Sequence, residues 1–218
     1  SLLSSFRELG WQEYSKMINP LTDHQIQSSE FLTSNNFAVL NDELGFEKFD
    51  QASAAVGYLA KKGNIKSVLL ISDRTRYNTY WTPSLKSYAK DLKLKKIEPG
   101  TTKKVKGSSV IWFLDINDIG KTELKDFDKL DLVLFDELVN IKSASEQVNQ
   151  LVTKIEPAYI WLISAVVNEK AVKKFLDEFD FTQKVSFNTF GNSLADIQGD
   201  EPITIVKDIW LELDEMQL

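Results

Sequence analysis

The sequence contains no cysteine and only one histidine, His24. The first absence excludes disulfides, thiolate nucleophiles and cysteine-bound zinc or iron–sulfur centres, and it fits a reducing, intracellular setting. The second argues against a multi-histidine metal site or a Ser-His-Asp triad, and His24 reads as a partly exposed helix residue. No apolar run approaches the roughly 20 residues that cross a bilayer, so no membrane span or membrane partner is expected. The opening SLLSSFRELG lacks the charged start and long apolar segment of a signal peptide. A basic excess is also missing. With 26 Lys and Arg against 32 Asp and Glu, the net charge is −6. The overall field therefore does not attract nucleic acid, and DNA contact would need a local basic patch. No internal repeat or low-complexity tract is present.

What the sequence does have is short apolar runs separated by helical patterns. The runs Phe37–Leu40, Ser67–Ile71, Val110–Leu114, Leu132–Phe135, Tyr159–Ser164, Val185–Phe187 and Ile203–Ile209 read as strands. Runs without alternation suit strands covered on both faces, as in parallel sheets. Ala52, Ala55, Val56 and Leu59 recur at helical spacing, as do Val172, Phe175, Leu176 and Phe179. Ser143-x-x-Glu146 opens a further helix carrying Val148, Leu151, Val152 and Ile155, and Pro157 ends it. An earlier helix is expected from about Thr22 to Leu32. Alternating strands and helices predict an α/β domain, a mainly parallel sheet with helices on both faces. Residues 1–17 read as a leading helix or arm, 18–200 as one domain, and 201–218 as a strand and an acidic end. The abrupt ending suggests a piece of something longer, leading toward a second lobe.

Two motifs fall where ligands of open α/β sheets sit, beyond the carboxyl ends of strands. One is Asp42–Phe49, after the first strand. The other is Asp136-Glu137, after Leu132–Phe135. A lysine loop and an acidic pair on two strands is the arrangement of P-loop nucleoside triphosphatases. There the lysine neutralises phosphates, the first acid holds magnesium and the second positions water.

In that order the chain resembles the first RecA-like lobe of the Swi/Snf-type remodelling ATPases, within the superfamily-two helicases. PLTDHQIQSSEFL resembles the segment bearing the adenine-recognising glutamine, here Gln25. VLNDELGFEKFDQ is similar to the family's Asp-Glu-Met-Gly-Leu-Gly-Lys-Thr pattern, and Asp42, Glu43, Gly45, Lys48 and Gln51 agree with it. SVLLISDRTRYNTYWTPSLKSYAKDL resembles the next strand, loop and tryptophan helix, with Trp81 at the usual tryptophan. DLVLFDELVNIKS resembles the Asp-Glu-Ala-His box, with Asp136, Glu137, Ile141 and Lys142 in agreement. YIWLISAVVN lies where the family has Leu-Thr-Gly-Thr-Pro and a later asparagine, of which Asn168 is kept. The resemblance implies a RecA-like (P-loop NTPase) fold, a nucleotide site at Gln25, Gly45 and Lys48, and metal, if any, at Asp136.

The departures bear on chemistry. Glu47 stands where the phosphate loop needs glycine to close its backbone on the phosphates. A carboxylate about 4 Å from one phosphate charge costs roughly 4 kcal/mol at an effective dielectric near 20. Phe49 replaces the hydroxyl that would ligate Mg²⁺. Val139 replaces the box histidine, and Ser164-Ala165-Val166 replaces Thr-Pro-Ile of the coupling motif. These changes predict a retained fold with lost hydrolysis, so no cofactor is expected. Lys48, Asp136 and Glu137 would then persist as an internal ion-pair group or as solvated residues.

The stretch KSYAKDLKLKKIEPGTTKKVKG carries Lys86, Lys90, Lys93, Lys95, Lys96, Lys103, Lys104 and Lys106. It reads as a solvated surface, or as a basic patch for DNA phosphates. Arg74 and Arg76, after Ile71, would make the better phosphate contacts. Trp11, Tyr14, Tyr77, Tyr80 and Trp81 belong to the core, or else form a surface cluster for a protein partner. The leading expectation is a catalytically degenerate, helicase-like pseudo-ATPase lobe acting as a protein-interaction scaffold in chromatin or DNA transactions, nuclear if the source is eukaryotic. The alternative is a working first lobe of a DNA-dependent ATPase that uses ATP and Mg and needs a second lobe. A third reading is an unrelated α/β domain with accidental matches. In that case Lys48 and Asp136 would sit far apart.

Overall fold

The computed structural model describes residues 8–42, 48–100, 109–122, 124, 127, 129–137, 145–164, 187–192 and 205–209. Two helices lead: α1 (Trp11–Ser15) and α2 (Asp23–Ser34). They are followed by β1 (Phe37–Asp42), α3 (Lys48–Lys62) and β2 (Ser67–Ser72). A short helical turn α4 (Arg74–Arg76), a π-helical turn (Tyr77–Trp81) and α5 (Thr82–Tyr88) run on without a break. Then come β3 (Lys93–Lys96), β4 (Val110–Asp115), a 3₁₀ turn (Ile116–Lys121), β5 (Leu132–Asp136), α6 (Ser145–Ile155), β6 (Tyr159–Ser164), β7 (Phe187–Asn192) and β8 (Ile205–Ile209).

Among the described residues, eight strands form one sheet in the order β3-β4-β2-β5-β6-β1-β7-β8. Every pairing is parallel except that of β7 with β8. Alternate residues of each inner strand feed opposite layers. Ala38, Leu40, Val68, Leu70, Leu132, Leu134, Trp161 and Ile163 pack with α2, α3 and α5. Val39, Leu69, Ile71, Val133, Phe135, Ile160 and Leu162 pack with Val148, Leu151 and Val152 of α6. Strands covered on both faces are what unbroken apolar runs encode, which is why most strands were legible.

The N-terminal segment shares this core. Trp11 and Tyr14 of α1 are buried against Tyr58, with ring centroids 5.5 and 5.2 Å from it. Trp11 Nε1 donates to the Ile26 carbonyl at 3.1 Å. Helix α2 starts at a capping box: the Gln25 N–H donates to Thr22 Oγ1, and the Thr22 N–H donates to Gln25 Oε1. Gly57 of α3 lies under α5 so closely that a Cβ there would sit 2.0 Å from the Tyr88 carbonyl oxygen.

Two strand assignments change. Lys93–Lys96 is a strand, β3, not merely a lysine-rich surface. It is an edge strand with only Leu94 half-buried, so it carries no apolar run. Of the run at Val185–Phe187 only Phe187 is described; it opens β7, Phe187–Asn192, which pairs with β1 and β8 and buries Phe190 in the core against Phe31. The helix expected over Val172–Phe179, and Ser143 of the capping box, lie outside the described residues. Of the exposed-aromatic expectation, Trp11, Tyr14, Tyr77 and Trp81 are core residues, and Tyr80 is 49% exposed.

Candidate functional site

The site lies at the carboxyl ends of β1, β2, β5 and β6. The register pairs Ile71 of β2 with Phe135 of β5 and Asp136 of β5 with Ile163 of β6. Ser72, Asp136, Glu137 and Ser164 thereby converge, and Lys48 enters as the first residue of α3.

Lys48 is buried at 6% exposure, and its Nζ lies 2.5 Å from Glu137 Oε1. The second Glu137 oxygen accepts from Ser164 Oγ at 3.1 Å. Glu137 has φ +62, a left-handed conformation that costs a non-glycine residue about 1–2 kcal/mol. Its N–H donates to the Ile163 carbonyl at 2.8 Å, and the two side-chain contacts hold the rest in place.

Asp136 has no side-chain exposure. Its Oδ2 accepts from Ser72 Oγ at 2.6 Å, Trp81 Nε1 at 2.8 Å and Arg76 Nε at 2.8 Å. Its Oδ1 accepts from Arg76 Nη2 at 2.6 Å. This is a bidentate guanidinium–carboxylate pair, the strongest form of charge-assisted contact. Arg76 Nη2 also lies 3.5 Å from Glu137 Oε1, which links the two pairs. Burial alone would lower the Arg76 pKa, but the hydrogen bond and charge of Asp136, then Glu137 and Asp73, outweigh it and raise it. Two cations and two anions close on one another.

Aromatic rings cover this group. Phe49 stacks on Tyr80 at 4.9 Å and meets Trp81 edge-on at 5.1 Å, and the Arg76 guanidinium lies 5.1 Å from the Phe49 ring. The π-helical turn, in which the Thr82 N–H reaches back to the Tyr77 carbonyl, carries both Tyr80 and Trp81. Such bulges occur often at functional sites.

Lys48, Asp136 and Glu137 are thus brought together, with Arg76, as two linked ion pairs, and are not far apart as an accidental match would have them. Gln25 is buried, and its side-chain oxygen serves the cap of α2. Gly45 and Glu47 lie outside the described residues, as do Val139, Ile141, Lys142 and Asn168. Arg74 is bound to Asp115 at 3.1 Å and to Asp118 at 3.0 Å. Lys86 and Lys90 are exposed on and just after α5. Lys103, Lys104 and Lys106 are not described. Sequence reasoning missed the partnership of Arg76, Ser72 and Trp81 with Asp136. The sequence offered only Ser72 at the end of an apolar run, followed by Asp73-x-x-Arg76; the pairing of β2 with β5 that completes the contact is tertiary.

A Mg-nucleotide fits these residues poorly. The lysine that would meet phosphates is held by Glu137, and the carboxylate that would face a metal is filled by four donors. Phe49 offers carbon where a hydroxyl ligand is needed. Among the described residues, no group of three or more His, Asp or Glu is arranged to hold a metal ion.

Among the described residues, an eight-stranded, largely parallel sheet with a lysine at the head of one helix and an acidic pair two strands away makes a RecA-like α/β fold. Solved structures agree on that fold. The chain is similar to the Sulfolobus solfataricus SWI2/SNF2 ATPase core, solved in complex with dsDNA (TM-score 0.57, 16% identity, covering 73% of this chain and 34% of that one). It is similar to the same organism's SWI2/SNF2 ATPase core domain (0.59, 20%, 72% and 33%). It also resembles the UvsW helicase of bacteriophage T4 (0.60, 13%, 84% and 68%). The chain spans about a third of the length of the two ATPase cores. No protein-family model matches it, and no curated protein matches its sequence. Among the described residues, no helix is long and apolar enough to cross a membrane.

Proposed function

We propose that this lobe has kept the helicase fold and given up nucleotide chemistry, serving as a protein-interaction scaffold in DNA transactions, and in chromatin within the nucleus if its source is eukaryotic. One observation carries the reading: the buried Asp136 carboxylate is filled by Arg76, Ser72 and Trp81 while Lys48 is spent on Glu137. A triphosphate would have to break the Lys48 pair, and a magnesium ion would have to displace a bidentate guanidinium. Each step would leave a half-buried group, Glu137 or Arg76, without its partner, at a cost below the roughly 3–5 kcal/mol of a fully buried pair.

DNA contact would fall to a local face, because the net charge is −6. Exposed Lys86, Lys90, Lys93, Lys95 and Lys96 supply local positive charge, and one structural neighbour was solved with dsDNA. Arg74 and Arg76 are committed to carboxylates and would contribute little to it.

The test is a thermal titration with Mg-ATP. The expected result is an unchanged Tm in the wild-type chain at millimolar ligand. Micromolar binding that Lys48→Ala abolishes would overturn the proposal and make the chain a working ATPase lobe.

A further inference from the structure

A side chain of this protein occupies the position an external cation would take. Arg76 reaches back from α4 over the ends of β2 and β5 and meets both oxygens of a carboxylate with no exposure. Its remaining neighbours are also acidic: Glu137 Oε1 at 3.5 Å and Asp73 Oδ2 at 3.8 Å. Asp73 fixes the backbone of that turn as well, its Oδ1 accepting the Arg76 N–H at 2.8 Å. Among the described residues, the other cation in ion-pair contact with this group is Lys48, on the far side of Glu137. The count around the site, over the described residues, is therefore two cations against Asp73, Asp136 and Glu137. Without Arg76 it would be one against three.

We infer that Arg76 is a tethered counter-cation that excludes divalent metal from the Asp136–Glu137 pair and holds the lobe in one state without any ligand. This rests on the reading of the site as closed to nucleotide. A packing role alone would make Arg76 matter through its stack on Phe49. A tethered cation makes its charge replaceable by a free one.

The experiment compares the wild-type chain with Arg76→Ala and with Arg76→Ala/Asp136→Asn. Melting is followed with and without millimolar Mn²⁺, and free Mn²⁺ is counted by paramagnetic resonance. The wild type should ignore Mn²⁺. Arg76→Ala should melt lower, regain part of the loss with Mn²⁺ and bind one ion per chain. The double variant should recover stability without metal and lose the Mn²⁺ response. If Arg76→Ala does not fold, Arg76→Gln replaces it, because its amide can still donate to Asp136 while the charge is gone. A folded Arg76 variant indifferent to Mn²⁺ would overturn this inference and leave the proposed function standing. Mn²⁺ binding by the wild type at the same acids would overturn both.

Discussion

Lys48 shows what one side chain decides here. Its ammonium is buried and bound to the carboxylate of Glu137, at the end of another strand. Lys48→Ala should lower stability by about 2–3 kcal/mol, less than for a fully buried pair because Glu137 keeps some exposure. Urea denaturation checks this, and adding Glu137→Gln should recover part of the loss. Tyr14 gives a second prediction. Burial first, and the nearby Asp91 charge second, push its pKa up to about 12. A raised acid pKa means the folded state keeps its proton while the unfolded chain loses it near 10. Its contribution is therefore whole below pH 10 and is lost as pH rises from 10 toward 12. Tyr14→Phe should flatten that alkaline decline, read as Tm across pH 9–12.

Elements meet under constraints that one residue can break. Helices α3 and α5 touch at Gly57, where a methyl group would collide with backbone rather than with a flexible side chain. Gly57→Ala should force the helices apart and cost about 1–3 kcal/mol or more, measured by chemical denaturation. The edge strand β3 is guarded differently. Its open side exposes Lys93, Lys95 and Lys96, and like charges on an edge discourage pairing with another chain. Lys95 and Lys96 also lie over the Trp112 and Tyr77 rings at 5.2 and 5.4 Å, so their stems cover apolar surface. Replacing Lys93 and Lys95 with valine should produce concentration-dependent self-association, visible by light scattering. Element β3 also marks where sequence reading stopped. Four residues with three lysines hold no periodic signal, and only the neighbouring β4 makes them a strand. The mostly polar FNTFGN of β7 gave little signal for the same reason: pairing with β1 and β8 places it, and Phe190 anchors it in the core against Phe31.

Across the whole molecule, the acidic net charge and the exposed lysines oppose one another, and salt sets the balance. If these lysines meet DNA, Lys86→Glu/Lys90→Glu should weaken binding and flatten the fall of log K with log salt by about two phosphate contacts. Unchanged affinity and slope would remove nucleic acid from the account of this lobe. The two apolar layers are insulated from that question, because they depend only on alternate residues of β1, β2, β5 and β6 facing opposite ways. Apolar runs and helical spacing established the α/β architecture, since burial on both faces and helical periodicity are local properties of the chain, while the company of Lys48, Asp136 and Glu137 was implied by the order of their motifs and the resemblance they carry. The fate of Arg76 was settled by tertiary structure alone. Sixty residues separate it from Asp136, and only the parallel register of β2 with β5 turns an apparent phosphate contact into the cation that seals the site.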